Sequence, residues 1–108
     1  MVRLTVALAA PPGQTPQLLE ALRFLMIGTR LEDGCLDCTA WAERDSTVQY
    51  LEEWATENDM RQRVRSDAFT SLLAVMEAAR EPPRVQFDFV SARRGLDYIA
   101  EVRGRHES

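Results

Sequence analysis

The segment VQYLEEWATENDMRQRVRSDAFTSLLAVMEAAR, Val48 to Arg80, changes its hydrophobic period part-way along. It opens with strand alternation: Val48, Tyr50, Glu52 and Trp54 share one face, and Gln49, Leu51, Glu53 and Ala55 the other. After Thr56–Asp59 the spacing becomes helical, with Met60, Val64, Ala68, Leu72 and Met76 every four residues and Phe69 and Leu73 widening the stripe. A strand running into helices with a tryptophan at the junction makes a floor and a wall that meet at one corner. That corner is the expected place for a pocket.

Upstream, Val2, Leu4, Val6 and Leu8 alternate with Arg3, Thr5, Ala7 and Ala9, which predicts a first strand ended by Pro11, Pro12 and Gly13. Thr15 reads as an N-cap with Pro16 at the first helical position, followed by a helix burying Leu18, Leu19, Leu22, Leu25 and Met26. Glu32, Asp33 and Gly34 form its exit turn. Cys35–Glu43 is the second strand, with Leu36, Cys38, Ala40 and Ala42 on one side and Cys35, Asp37, Thr39 and Trp41 on the other. Residues 44–47 turn the chain into the Val48 strand.

Downstream, Thr56 caps a short helical turn, and Ser66 or Asp67 caps a longer helix to about Ala79, stopped by Pro82 and Pro83. Val85, Phe87 and Phe89 mark the fourth strand. The element order is strand, helix, strand, strand, helix, strand, which is α+β and ferredoxin-like, with helices on one face of an antiparallel sheet. Its other face, carrying Trp41, needs a cover, and a partner subunit is the economical one. Residues 2–91 read as the domain and 92–108 as a partly disordered tail, whose apolar knot (Leu96, Tyr98, Ile99, Val102) forms a short strand or an arm towards a partner.

At 108 residues there is room for one domain. The net charge of -4 and interspersed basic residues argue against nucleic acid, and no apolar run is long enough for a membrane span. The apolar run at the N-terminus is brief and alternates as a strand does, so a cytoplasmic protein without a leader is expected. Cys35 and Cys38 form CLDC, but strand positions three apart face opposite ways, so a redox or zinc pair is not expected.

Gly34-Cys35, then Tyr50-Leu51-Glu52-Glu53-Trp54, Met60, Ser66 and Phe69 resemble the antibiotic biosynthesis monooxygenase family. The resemblance covers Val2 to about Val90 and implies a dimeric α+β barrel, in which two ferredoxin-like subunits pack sheet to sheet, each with a cavity between sheet and helices. It carries Trp54 over as a pocket residue. Three positions depart from better-known branches. Arg63 stands where many members have a histidine, which in the haem-degrading branch is the axial ligand. Thr5 and its small neighbours stand where that branch has an asparagine, and Tyr50 where the quinone-forming branch has another. These departures argue against haem degradation, and no cofactor is expected. They also leave cofactor-free oxygenation without one of its known parts.

Two functional expectations remain. The first is a cofactor-independent monooxygenase acting on an aromatic, quinol-like molecule, with Trp54, Tyr50, Glu52 and Arg63 as the catalytic set. Trp54 and Phe69 would stack on the ring, Tyr50 or Glu52 would handle a proton, and Arg63 would neutralise an oxyanion. The second is a non-catalytic dimeric barrel with a ligand-binding or structural role. Residue by residue, Trp54 and Phe69 also read as core, Tyr50 as an interface or core aromatic, Glu52 as an interfacial or solvated carboxylate, and Arg63 as a surface charge. Glu52 and Glu53 point to opposite faces and form no acid–base couple.

Overall fold

The computed structural model describes residues 1–107, with side chains as far as residue 104. The elements are β1 (Val2–Ala9), α1 (Thr15–Thr29), β2 (Cys35–Ala42), β3 (Thr47–Trp54), α2 (Glu57–Arg65), α3 (Asp67–Glu77), β4 (Arg84–Phe89) and α4 (Leu96–Glu107). The strands form one antiparallel sheet in the order β2-β3-β1-β4, which is the ferredoxin-like arrangement.

Strand parity explains the core. Val2, Leu4, Val6 and Leu8 of β1 are buried on one face, and in register beside them lie Val48, Tyr50, Glu52 and Trp54 of β3. Helices α1 and α3 close that face with Leu18, Leu22, Met26, Phe69 and Leu72. At the N-terminus of α1 the cap position is Gln14, which makes no side-chain cap, so Thr15 falls one residue inside the helix instead of capping it.

Three further expectations are corrected. The first concerns β2: a register irregularity between Cys35 and Asp37 sets Cys35 opposite Trp54 and Cys38 opposite Glu52. Partners in an antiparallel pair face the same side, so both cysteines belong to the inner face. Simple alternation places them apart; the extra residue, Leu36, is 56% exposed.

The turn before α3 is a full helix, α2, and it does not run on into α3, because Ser66 between them is extended (ψ 154°). Ser66 joins the two, its Oγ donating to the Arg63 carbonyl (2.7 Å) and accepting from the Phe69 N–H (3.3 Å). Thr56 caps α2 as expected, accepting from the Asp59 N–H at 3.1 Å.

The tail forms a helix, α4, where a short strand was one of the two expectations. Leu96, Ile99 and Val102 are three apart, the spacing of a helical face, and all are exposed. The radius of gyration of 17.0 Å exceeds the ~13 Å of a compact chain this long. The expected disorder of the last residues falls on residue 108, outside the described residues.

Gly34 fixes the approach of α2 to the start of β2. Its φ is +87°, and an added Cβ would stand 2.5 Å from Asp59 Oδ2 and 2.9 Å from Oδ1. Its carbonyl accepts from the Ala55 N–H at 2.8 Å, tying the α1–β2 turn to the end of β3. Gly13 also has positive φ (+74°) but nothing within 4 Å of such a Cβ. Gly13→Ala is therefore expected to cost only the backbone penalty, about 1–2 kcal/mol, and Gly34→Ala clearly more. Urea denaturation of both variants checks this, and equal midpoints would remove the steric role given to Asp59.

Candidate functional site

The inner face of β3 and the last turn of α2 meet at the corner the sequence marks. Tyr50, Glu52 and Trp54 alternate on the strand, and α2 delivers Arg63 against them. Glu52 has no exposed surface and Arg63 is 3% exposed. This corrects both individual readings: Glu52 is not solvated, and Arg63 is not a surface charge. The helical phase differs from the every-four stripe. Met60 and Arg63 face the core, while Val64 is 41% exposed.

Both oxygens of Glu52 are fully engaged. Oε2 accepts from the Tyr50 hydroxyl (2.5 Å) and Arg63 Nη2 (3.0 Å). Oε1 accepts from Trp54 Nε1 (2.8 Å) and Arg63 Nε (3.1 Å). A carboxylate has about four acceptor positions, and here all four are taken. Side-on pairing with Arg63 compensates the burial of the charge. Burial works to lower the Arg63 pKa, but the hydrogen bonds and charge of Glu52 outweigh it and leave it above the ordinary arginine value. The Arg63 guanidinium also lies over the Phe69 ring, 5.3 Å from its centroid.

The network extends to β2. Tyr50 Oη and Cys38 Sγ are 3.4 Å apart. Burial, and then the nearby Glu52 charge, push the Tyr50 hydroxyl far above its usual range. Burial likewise raises the Cys38 thiol to about 11 and, less strongly, the Cys35 thiol. Both cysteines therefore stay protonated at neutral pH, the opposite of a redox-active thiolate. Glu53, one residue from Glu52, points to the other face and pairs there with Arg3 (3.3 Å) and Arg93 (2.6 Å).

Beside the network a cleft of about 280 Å³ opens to solvent. Trp54 and Arg63 form its inner wall, Glu32, Asp33 and Asp59 its rim, and Gln62 and Ser66 its flank. Tyr50 and Glu52 lie behind this wall. Met26, Met60 and Phe69 are buried in the core, yet the corner keeps its opening. Among the described residues no three His, Cys, Asp or Glu side chains converge as a metal site would require.

Sequence reasoning missed Glu32, which approaches Arg63 Nη1 to 3.8 Å from the α1–β2 turn. The only available signal was its place in the EDGC turn that faces the corner. It also missed a second recess of about 310 Å³ between α2 and β4, lined by Met60, Val64, Phe87 and Phe89 with Glu57, Arg61 and Arg65. There β4 extends beyond the helices, leaving Phe87 and Phe89 exposed on the inner face.

The family model for antibiotic biosynthesis monooxygenases matches residues 1–74, more than half of the chain. The chain belongs to this family. No curated protein matches it. Among solved structures, a candidate antibiotic biosynthesis monooxygenase from Deinococcus radiodurans superposes with a TM-score of 0.77 at 17% identity, covering 88% of this chain and 97% of that one. Another candidate, from Nitrosomonas europaea, gives 0.73 at 15% identity, over 85% and 100%. A Mycobacterium tuberculosis protein gives 0.74 at 17% identity, over 87% and 98%. At these identities the likeness establishes the fold. Family membership suggests a monooxygenase-like protein of small-molecule chemistry, and no helix among the described residues is long and apolar enough to cross a membrane.

The Glu52–Arg63 pair gives a direct stability prediction. Arg63→Met leaves a fully buried carboxylate without its cation and is expected to destabilise the fold by about 3–5 kcal/mol. The double variant Glu52→Leu/Arg63→Met removes both charges and should be less damaging than Arg63→Met alone. A double-mutant cycle in urea measures the coupling. Additive effects would show that the pair does not act as a unit.

Proposed function

We propose that this family member is a cofactor-independent monooxygenase for an electron-rich, quinol-like aromatic molecule bound at the Trp54–Arg63 cleft. The observation that carries the reading is the cleft itself: a pinned cation and an indole line it, the indole being the Trp54 that the resemblance implies as a pocket residue. Oxygenation of such a ring requires loss of a proton to give a phenolate or enolate, which then reduces dioxygen. The carbon and oxygen radicals combine to a hydroperoxide, and loss of water leaves a carbonyl. One oxygen atom enters the product, the other leaves as water, and the substrate supplies the electrons.

In this reading Arg63 stabilises the oxyanion through Nη1, the guanidinium nitrogen that Glu52 does not hold. Trp54 supplies the apolar wall. Tyr50 and Glu52 act as positioning residues, since they hold Arg63 and Trp54 from behind. That all four acceptor positions of Glu52 are occupied also supports a second reading, a dimeric barrel that binds a small ligand without turning it over.

Oxygen uptake with a panel of hydroquinones separates the two. The monooxygenase reading expects uptake by the wild type above buffer, reduced about 10–100-fold in Arg63→Lys and lowered in Trp54→Phe. Unchanged uptake in both variants removes the site assignment, and none by the wild type favours the binding protein.

The assembly proposed is a homodimer through the outer sheet face. That face carries Thr5, Ala7, Leu51 and Trp41, the last 42% exposed, and α1–α3 lie on the opposite side. Light scattering at micromolar concentration is expected to give twice the 12.3 kDa chain mass, and Leu51→Asp to shift it towards the monomer. A monomeric wild type would contradict the dimer.

A further inference from the structure

The two margins of the sheet differ. β2, on one side, carries the irregularity between Cys35 and Asp37, whereas β4, on the other, pairs with β1 without a break. Just past β4, Met1 and Val90 exchange both backbone bonds (2.8 and 3.1 Å), which makes them a hydrogen-bonded pair. Parity then turns the N–H and C=O of Gln86 and Asp88 towards β1, and those of Val85, Phe87 and Phe89 towards the free edge. The side chains of these last three lie on the inner face and are 47%, 40% and 65% exposed. The chain that follows β4 runs the other way, since Arg93 reaches Glu53 of β3 across the outer face.

On the outer face, β4 carries a cation and an anion placed symmetrically about Gln86, namely Arg84 and Asp88. Asp88 accepts from Gln86 Nε2 (2.9 and 3.2 Å), which leaves acceptor positions on its carboxylate open. Among the described residues Arg84 forms no ion pair.

We propose that β4 is an interaction surface for β4 of a second copy of this chain, paired antiparallel about a two-fold axis at Gln86. Two requirements fix that register. Edge backbone groups meet only where odd-numbered residues face odd-numbered ones, and the charges attract only where Arg84 faces the partner's Asp88. Pairing centred on Gln86 meets both. Val85 exchanges backbone bonds with the partner's Phe87, and Phe87 with the partner's Val85. Arg84 faces the partner's Asp88 on each side of the axis, at non-hydrogen-bonded positions, where side chains approach most closely. Centring on Phe87 instead sets Arg84 against the partner's Val90 and loses both ion pairs. The strand thus contains its own complement, which favours a second copy over an unrelated extended segment. Such an isologous contact closes on itself and leaves no repeating edge.

The contact lies in the plane of the sheet and does not use the outer face, so it joins units already paired there. It is also independent of the cleft and of any turnover. A contact of one short strand falls below the ~1,000 Å² of stable interfaces, so a Kd of about 0.1–1 mM is expected.

Sedimentation of the wild type from micromolar to millimolar concentration is expected to show the mass double. Leu51→Asp, aimed at the outer face, should start from a lower mass and double over the same range, which separates the two interfaces. Amide exchange reads the register: the Phe87 N–H should become protected as concentration rises, while the Gln86 and Asp88 N–H groups are protected throughout. Val85→Pro removes a donor that faces only the free edge, and should prevent doubling while leaving the β1–β4 ladder protected. Arg84→Asp and Asp88→Arg should each weaken association about tenfold or more, and the double swap should restore it. No doubling at millimolar concentration, exchange at Phe87 that is independent of concentration, or a double swap no better than the single variants overturns the inference.

Discussion

One carboxylate with no access to water governs how this chain packs. Glu52 sits on the inner face of the sheet, where an apolar residue would satisfy the core, and its charge must be met from within. Tyr50 and Trp54 meet part of it from the same strand, at positions two residues away on either side. The cation has to come from another element. α2 is short, capped at both ends and ended by an extended Ser66, and this allows it to turn Arg63 inward independently of the phase of α3. The strand, the two helices and the turn that carries Glu32 are thereby referenced to a single guanidinium. Burying such a pair is weak evidence for added stability and better evidence for a defined geometry at one place.

Much of this was legible in the residues, and the limits of that legibility are physical. Period-two alternation correctly assigned Tyr50, Glu52 and Trp54 to one face and sent Glu53 to the other, because strand parity is a strict consequence of backbone geometry. The element order gave the ferredoxin-like sheet. Residue-type statistics failed at Glu52 and Arg63, since each charge looks solvated when considered alone and becomes a core residue only when the other is present. A polar side chain on a face of Tyr and Trp was itself the signal that a buried partner had to exist. The apolar stripe chose Val64 over Arg63 because it counted α2 and α3 as one helix. In the tail, Leu96, Ile99 and Val102 carried a helical spacing that Tyr98 obscured.

The corner contains two layers with different chemistry. Behind the wall, every polar group is saturated and held rigid, and the thiols and the phenol are kept protonated by burial. At the wall, Arg63 borders a cleft with an acidic rim. A site built in this way obtains its precision from a shell that does not itself react. It also separates roles that the sequence could only group together: four residues from one neighbourhood, of which two face the cleft and two stand behind it. The apolar recess beside Phe87 and Phe89 is a separate feature on the same sheet face, produced by a fourth strand that outreaches its helices.

The extra residue at Leu36 has a consequence beyond turning Cys35 inward. β2 lies at one margin of the sheet, where unpaired backbone groups would otherwise offer a template for further strands. An irregularity there interrupts the even ladder and bends the strand away from flatness. The device that completes the inner face thus also discourages fibrous stacking along the open margin.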